Sequence, residues 1–131
     1  MNVIVKAPGE MARVVDFKGK YRGDVAQLIG EKVYPEYVQI INNEFCMVVD
    51  EDGHNKQLPH NFFMEMQSAF WPIQSICGTA VFCRYKWENP YEEELWDFEL
   101  MDVLPSDMDM MNRIFDTRYQ NELGVKAHGW R

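Results

Sequence analysis

Long hydrophobic runs are missing from this chain of 131 residues. The longest, residues 45–49, holds five apolar residues, against the ~20 that a membrane-spanning helix needs. No membrane contact is expected. The start, Met1-Asn2-Val3-Ile4-Val5-Lys6, lacks the apolar stretch of a secretory signal. Cysteine is scarce and odd in number: Cys46, Cys77 and Cys83. Without an export signal these read as reduced thiols in a cytoplasmic setting, not as a disulfide framework. Positive charge is also short, with 13 Lys/Arg against 21 Asp/Glu. That balance argues against direct nucleic-acid binding, which needs cations to displace counterions from phosphate. It argues equally against an anionic membrane surface. Internal repeats and glycine-rich phosphate loops are absent.

What is present suffices for one folded domain. Apolar residues make up 47 % and aromatics 14 %, well above a disordered composition. The charge is unevenly placed. Residues 88–131 hold 11 Asp/Glu and 4 Lys/Arg, a net of −7 out of −8 for the whole chain. Such asymmetry speaks of partners and solubility, not of fold.

Short β-branched and aromatic runs separated by turn residues point to strands. Val3-Ile4-Val5 and Arg13 to Phe17 flank Ala7-Pro8-Gly9-Glu10 as a hairpin. Residues 37–41 and 45–49 flank Asn42-Asn43 as a second hairpin. Residues 78–85 form a further strand, and Trp96, Phe98 and Leu100 alternate with Asp97 and Glu99. Residues 54–61 read as loop, and 62–71 as a short helix or irregular structure. Asp24 with Gln27 caps a short helix over about 24–29. Ser106 with Asp109 caps a longer one over about 107–123, striped by Met108, Met111, Phe115, Tyr119 and Leu123 and ended by Gly124. The expected class is α+β, a small mostly antiparallel sheet with these two helices.

The first two-thirds carries a recognisable series. It runs Ala7-Pro8-Gly9, a short helix ending at Gly30, a strand pair leading to Asp50-Glu51-Asp52-Gly53, then Leu58-Pro59-His60-Asn61, Pro72-Ile73 and the Gly78–Phe82 strand. Over roughly residues 2–85 this resembles a domain-of-unknown-function family carried by phages and conjugative elements of gut-type bacteria. The resemblance implies a small accessory protein of a mobile element, acting in the cytoplasm of a bacterial host cell. The length fits a single domain, 1–131, in which the resembling core over 1–85 is followed by an acidic extension over 86–131.

No residue set announces catalysis, so an enzyme is not favoured. His54 and His60 lie near Asp50 and Asp52, but their spacing matches no zinc or calcium pattern, and no metal or cofactor is expected. Cys77 has no histidine placed by sequence to act as its base, so it reads as a structural thiol. Cys46 and Cys83, inside strand-like runs, read as buried. Ser75 and Ser106 lack a nucleophile-elbow context.

Two interaction readings are left. In the first, Glu92, Glu93, Glu94, Trp96, Asp97, Glu99, Asp102, Asp107 and Asp109 form an acidic surface. Its carboxylates repel one another within a Debye length of ~8 Å, and a host protein with a basic surface relieves that repulsion. Joined to the implied context, this gives a phage or mobile-element protein that inhibits a host nucleic-acid-handling defence enzyme, of anti-CRISPR or anti-restriction type. In the second, Lys18, Lys20, Tyr21, Arg22 and Arg84 hold a nucleotide by charge and stacking. The oligomeric state is left open.

Overall fold

The computed structural model describes residues 1–19, 22–30, 32–41, 44–66, 72–85 and 100–128. Its centre is an antiparallel sheet in the order β2-β1-β7-β4-β3. The strands are β1 (Asn2–Lys6), β2 (Arg13–Asp16), β3 (Pro35–Ile40), β4 (Phe45–Asp50) and β7 (Ala80–Tyr85). Both expected hairpins form, with Asn2 opposite Asp16 and Ile40 opposite Phe45. A two-residue strand, β8 (Leu100–Met101), pairs with the far end of β7, Tyr85 opposite Leu100. The α+β class and the antiparallel sheet follow from these pairings.

The central strands are covered on both faces, and β4 is buried at every position. One face packs Val3, Val5, Val25, Cys46, Val48, Val81 and Cys83 together. The other packs Ile4, Phe45, Met47, Phe62, Phe82 and Met111. Double burial explains why Phe45–Val49 reads as a continuous apolar run and not as an alternation. Cys46 and Cys83 sit directly opposite each other across β4 and β7, both buried as expected.

A short 3-10 helix over Arg22–Leu28 seals the first face with Val25, which is fully buried. The sequence points to a helix here, but with Asp24 as its cap. Asp24 instead lies inside the first turn.

The second face is covered by a two-stranded sheet, β5 (His60–Glu65) with β6 (Ile73–Cys77), and by two helices. β5 corrects the reading of 62–65 as helical or irregular and of 60–61 as loop, while residues 67–71 lie outside the described residues. Phe62 and Met64 point into the core while Phe63 is half-buried on the other side. A run that is apolar on both faces hides its period of two.

The helices α1 (Pro105–Ile114) and α2 (Thr117–His128) replace the single helix expected near 107–123. The break has a local cause. The Asp116 carboxylate accepts from the Arg118 N–H at 2.9 Å, and the Asp116 carbonyl accepts from Gln120 N–H, so Asp116 caps a new helix. The break lets Phe115 enter the core against Phe62 and Phe82, at ring-centroid distances of 5.0 and 5.5 Å. The cap of α1 also differs from expectation. Leu104 is the cap position, Pro105 opens the helix, and the Asp107 carboxylate accepts from the Leu104 N–H at 2.7 Å. Leucine offers no side-chain acceptor, so only the reciprocal half of a capping box exists. Gly124 does not end α2. A Cβ there would lie 3.0 Å from the Phe63 ring, so glycine permits close approach of α2 to β5.

Candidate functional site

Between β3–β4 and β6 lies an open cleft of about 240 Å³. Val38, Met47, Val49 and Ile76 form its apolar floor, and Glu36, Glu51, Gln74 and Ser75 line its polar parts. At one end the turn after β4 meets the end of β6. Gly53 is required there, because a Cβ would stand 2.6 Å from the Cys77 carbonyl oxygen. The turn is held by Asp50, whose buried carboxylate accepts from the Asp52 N–H at 2.9 Å and pairs with the Lys56 ammonium at 2.7 Å. Burial alone would raise the Asp50 pKa. Lys56 and the backbone donors outweigh it and hold the carboxyl below its ordinary range.

This turn delivers His54 to Cys77. His54 Nε2 lies 2.8 Å from the Ser75 carbonyl oxygen, and its Nδ1 lies 3.7 Å from Cys77 Sγ. A carbonyl only accepts, so Nε2 carries the proton. In the neutral ring Nδ1 is then the acceptor facing the thiol. Ser75 Oγ stands 3.8 Å from the same sulfur and 2.7 Å from His60 Nδ1. A thiol, an oriented imidazole and a hydroxyl thus meet at one end of the cleft. The base that Cys77 lacks in sequence comes from 23 residues away. The Asp50–Gly53 turn was the one available signal, since it fixes where the next residue points. No group of three or more metal-binding side chains converges among the described residues.

The Leu58-Pro59-His60-Asn61 stretch is a structural hub. Asn61 Nδ2 donates to the carbonyls of Lys6 and Gly78, at 2.6 and 2.9 Å, while its Oδ1 accepts from Lys6 Nζ at 3.0 Å. The Pro59 carbonyl accepts from the Gly78 N–H, and Gly78 has φ +86°. Lys6 is buried, with its ammonium 5.8 Å from the centre of the Phe115 ring. Burial lowers its pKa, against the opposing pull of Glu10.

The two interaction readings meet at one ion pair. Arg84, named for nucleotide binding, donates to Asp107, named for partner binding, through two bonds of 3.1 and 2.7 Å. Asp107 is buried, and its hydrogen bonds from Arg84 hold its pKa below the ordinary carboxylate range. The pair neutralises both residues. Arg84 also stacks on the Phe45 ring, on the face that carries α1, whereas Phe17, next to Lys18, packs against the opposite face. Arg84 and Lys18 therefore do not share a site. Lys20 and Tyr21 lie outside the described residues, as does the Arg22 side chain.

Asp102 and Asp109 are exposed, and Asp102 accepts from the Asn2 N–H at 2.6 Å. Glu92, Glu93, Glu94, Trp96, Asp97 and Glu99 lie outside the described residues. The described residues on either side of residues 86–99, Tyr85 and Leu100, are paired neighbours. Residues 86–99 hold six Asp/Glu and one Lys. Beyond them, Asp109, Asp116 and Glu122 are exposed among Arg113, Arg118 and Lys126 on α1, α2 and the junction between them, so exposed charge there is close to balanced.

A family model for a domain of unknown function, DUF3846, matches residues 1–98, about three quarters of the chain. The chain belongs to the DUF3846 family. No curated protein and no solved structure matches it. The DUF3846 match takes in the Asn61 hub and the Cys77 cluster. It also runs past residue 85, so much of the acidic stretch lies inside the family's span, and α1 and α2 lie beyond it. No helix among the described residues is long and apolar enough to cross a membrane.

Proposed function

We propose that this protein is a non-enzymatic interaction module whose acidic stretch, residues 86–99, binds a basic surface on a partner protein. In the fullest form of this reading it is a phage or mobile-element protein acting in the bacterial cytosol. Its partner is a host enzyme that handles nucleic acid, and carboxylates occupy the groove otherwise filled by phosphates. The supporting observation is the pairing of Tyr85 with Leu100. It anchors a stretch of net charge −5 at a single place on a folded body. A concentrated charge steers association and makes it salt-sensitive, where the same charge spread over the surface would chiefly aid solubility.

Capture of partners from host lysate at low and high salt tests this. The expected result is a basic protein retained at low salt and released at high salt. Reversing the charge at Glu92, Glu93, Glu94, Asp97 and Glu99 abolishes its capture. If the reversed protein folds and recovers the same partners, the proposal fails.

A further inference from the structure

The cluster at the end of the cleft supports a chemistry separate from partner binding. We propose that Cys77 is a reactive thiol, with His54 as its proton acceptor, and that it forms mixed disulfides with small disulfide molecules entering the cleft. Three features of the geometry lead there. First, the imidazole is oriented. The Ser75 carbonyl takes the Nε2 proton, which leaves Nδ1 facing Sγ at 3.7 Å. Nucleophile, base and orienting acceptor stand in the order that thiol chemistry requires. Second, access differs among the three cysteines. Cys77 is part-exposed and lines the cleft, while Cys46 and Cys83 are 1 % and 0 % exposed. Third, size selects the ligand class. About 240 Å³ falls below the ~300 Å³ at which drug-sized ligand sites begin, so half of a small disulfide fits better than a nucleotide.

The step balances without a metal or cofactor. Cys77 Sγ–H passes its proton to His54 Nδ1, and Sγ attacks one sulfur of the incoming disulfide. The old S–S bond breaks, and the departing sulfur leaves as a thiolate that recovers the proton. One disulfide is consumed and one is formed, so the small disulfide is the oxidant. When His60 Nδ1 carries its proton and donates to Ser75 Oγ at 2.7 Å, the single hydroxyl hydrogen is left to donate to the developing thiolate 3.8 Å away. The other charged groups at the cleft are Glu36, Glu51 and Asp50, the last already paired with Lys56.

The test uses the full chain with oxidised glutathione and, separately, iodoacetamide, with modification at each cysteine followed by mass spectrometry. Cys77 is expected to react at least about tenfold faster than Cys46 or Cys83. His54→Gln, which retains a donor for the Ser75 carbonyl but cannot take the proton, is expected to slow Cys77 by about tenfold or more. The pH profile of the wild-type rate is expected to differ from that of His54→Gln. Circular dichroism checks that the variant is folded, and the wild-type pH profile stands without any variant. If Cys77 reacts no faster than the buried thiols, the proposal is overturned. If it reacts fast but His54→Gln leaves its rate and pH profile unchanged, exposure alone explains it and the assignment of His54 is wrong.

Discussion

Two joints fasten the outer layer to the same face of the main sheet, and they differ in chemistry. The β5–β6 sheet is held at its base by an amide. Asn61 bonds two carbonyls and the Lys6 ammonium, and Lys6 itself has lost part of its affinity for a proton through burial. Helix α1 is held by charge, with Asp107 gripping Arg84 through two bonds and the Leu104 N–H through a third. A third fastening repeats the amide device. Gln120 on α2 accepts from the Phe63 N–H at 2.7 Å and donates to the Phe63 carbonyl at 3.2 Å, covering the outer edge of β5. The amide joint lies inside the family's span. On the charged joint, Arg84 lies inside that span and Asp107 beyond it. Helices outside the family match are thus locked to the family core by an ion pair between buried Asp107 and half-buried Arg84. Among the described residues, breaking the charged joint leaves Arg84 only its 3.7 Å contact with Glu44 as an ion pair, whereas breaking the amide joint leaves neutral groups without a partner and the Lys6 ammonium with only the Ala7 carbonyl.

Removing Asp107 gives the largest expected effect. Asp107→Ala leaves Arg84, among the described residues, only the exposed Glu44 at 3.7 Å as an ionic partner and uncaps α1, at a cost of about 3 kcal/mol, the lower end for a broken buried pair because Arg84 keeps that contact and some contact with water. In a chain of this size that lowers Tm by roughly 10 °C, which a thermal melt followed by circular dichroism reads directly. A loss smaller than that of the amide variant would reverse the ranking of the two joints.

Asn61→Ala comes next. It takes the Asn61 donor from two carbonyls and leaves the Lys6 ammonium, among the described residues, only the Ala7 carbonyl at 3.0 Å, at a cost of about 2 kcal/mol. Urea denaturation measures it. The same experiment repeated in high salt separates the joints further, since neutral hydrogen bonds barely respond to screening.

The smallest effect is a slope. Asp107 and Asp50 titrate below the ordinary carboxylate range when folded. Their contribution is complete above the unfolded value near ~3.9 and fades as pH falls through the lowered folded values. Stability against pH on the acid side should flatten in Asp107→Ala and keep its wild-type slope in Asn61→Ala. Equal slopes in the two variants would remove the distinction drawn here. Lys6 acts with the opposite timing. Its folded form binds a proton less readily than the unfolded chain, so its penalty eases as pH rises toward the lysine range.

Much of the scaffold was legible where its cause was local. The two hairpins, the buried Cys46 and Cys83, and a helical stripe near the end follow from turn residues and apolar period within a few residues. The miss at β5 came from Phe62 and Phe63, which are both apolar yet face different neighbours. The miss at Asp116 had a visible signal, an aspartate followed by threonine, masked by the stripe running through it. The cleft cluster had almost none. His54 and Cys77 belong to different elements, and nothing in either short stretch refers to the other.

By itself the sequence determined the α+β class, the sites of the turns, and the concentration of negative charge near the end. Each rests on period, backbone preference or composition, which act over short distances. The tertiary structure alone decided how those pieces meet. It covered the sheet on both faces, set His54 beside Cys77, and let glycine at 124 bring α2 onto Phe63. It also joined Arg84 to Asp107, which pairs one residue from each of the two expected interaction surfaces with the other. These pairings arise because buried groups must find partners across the core, and the core is assembled from residues far apart in the chain.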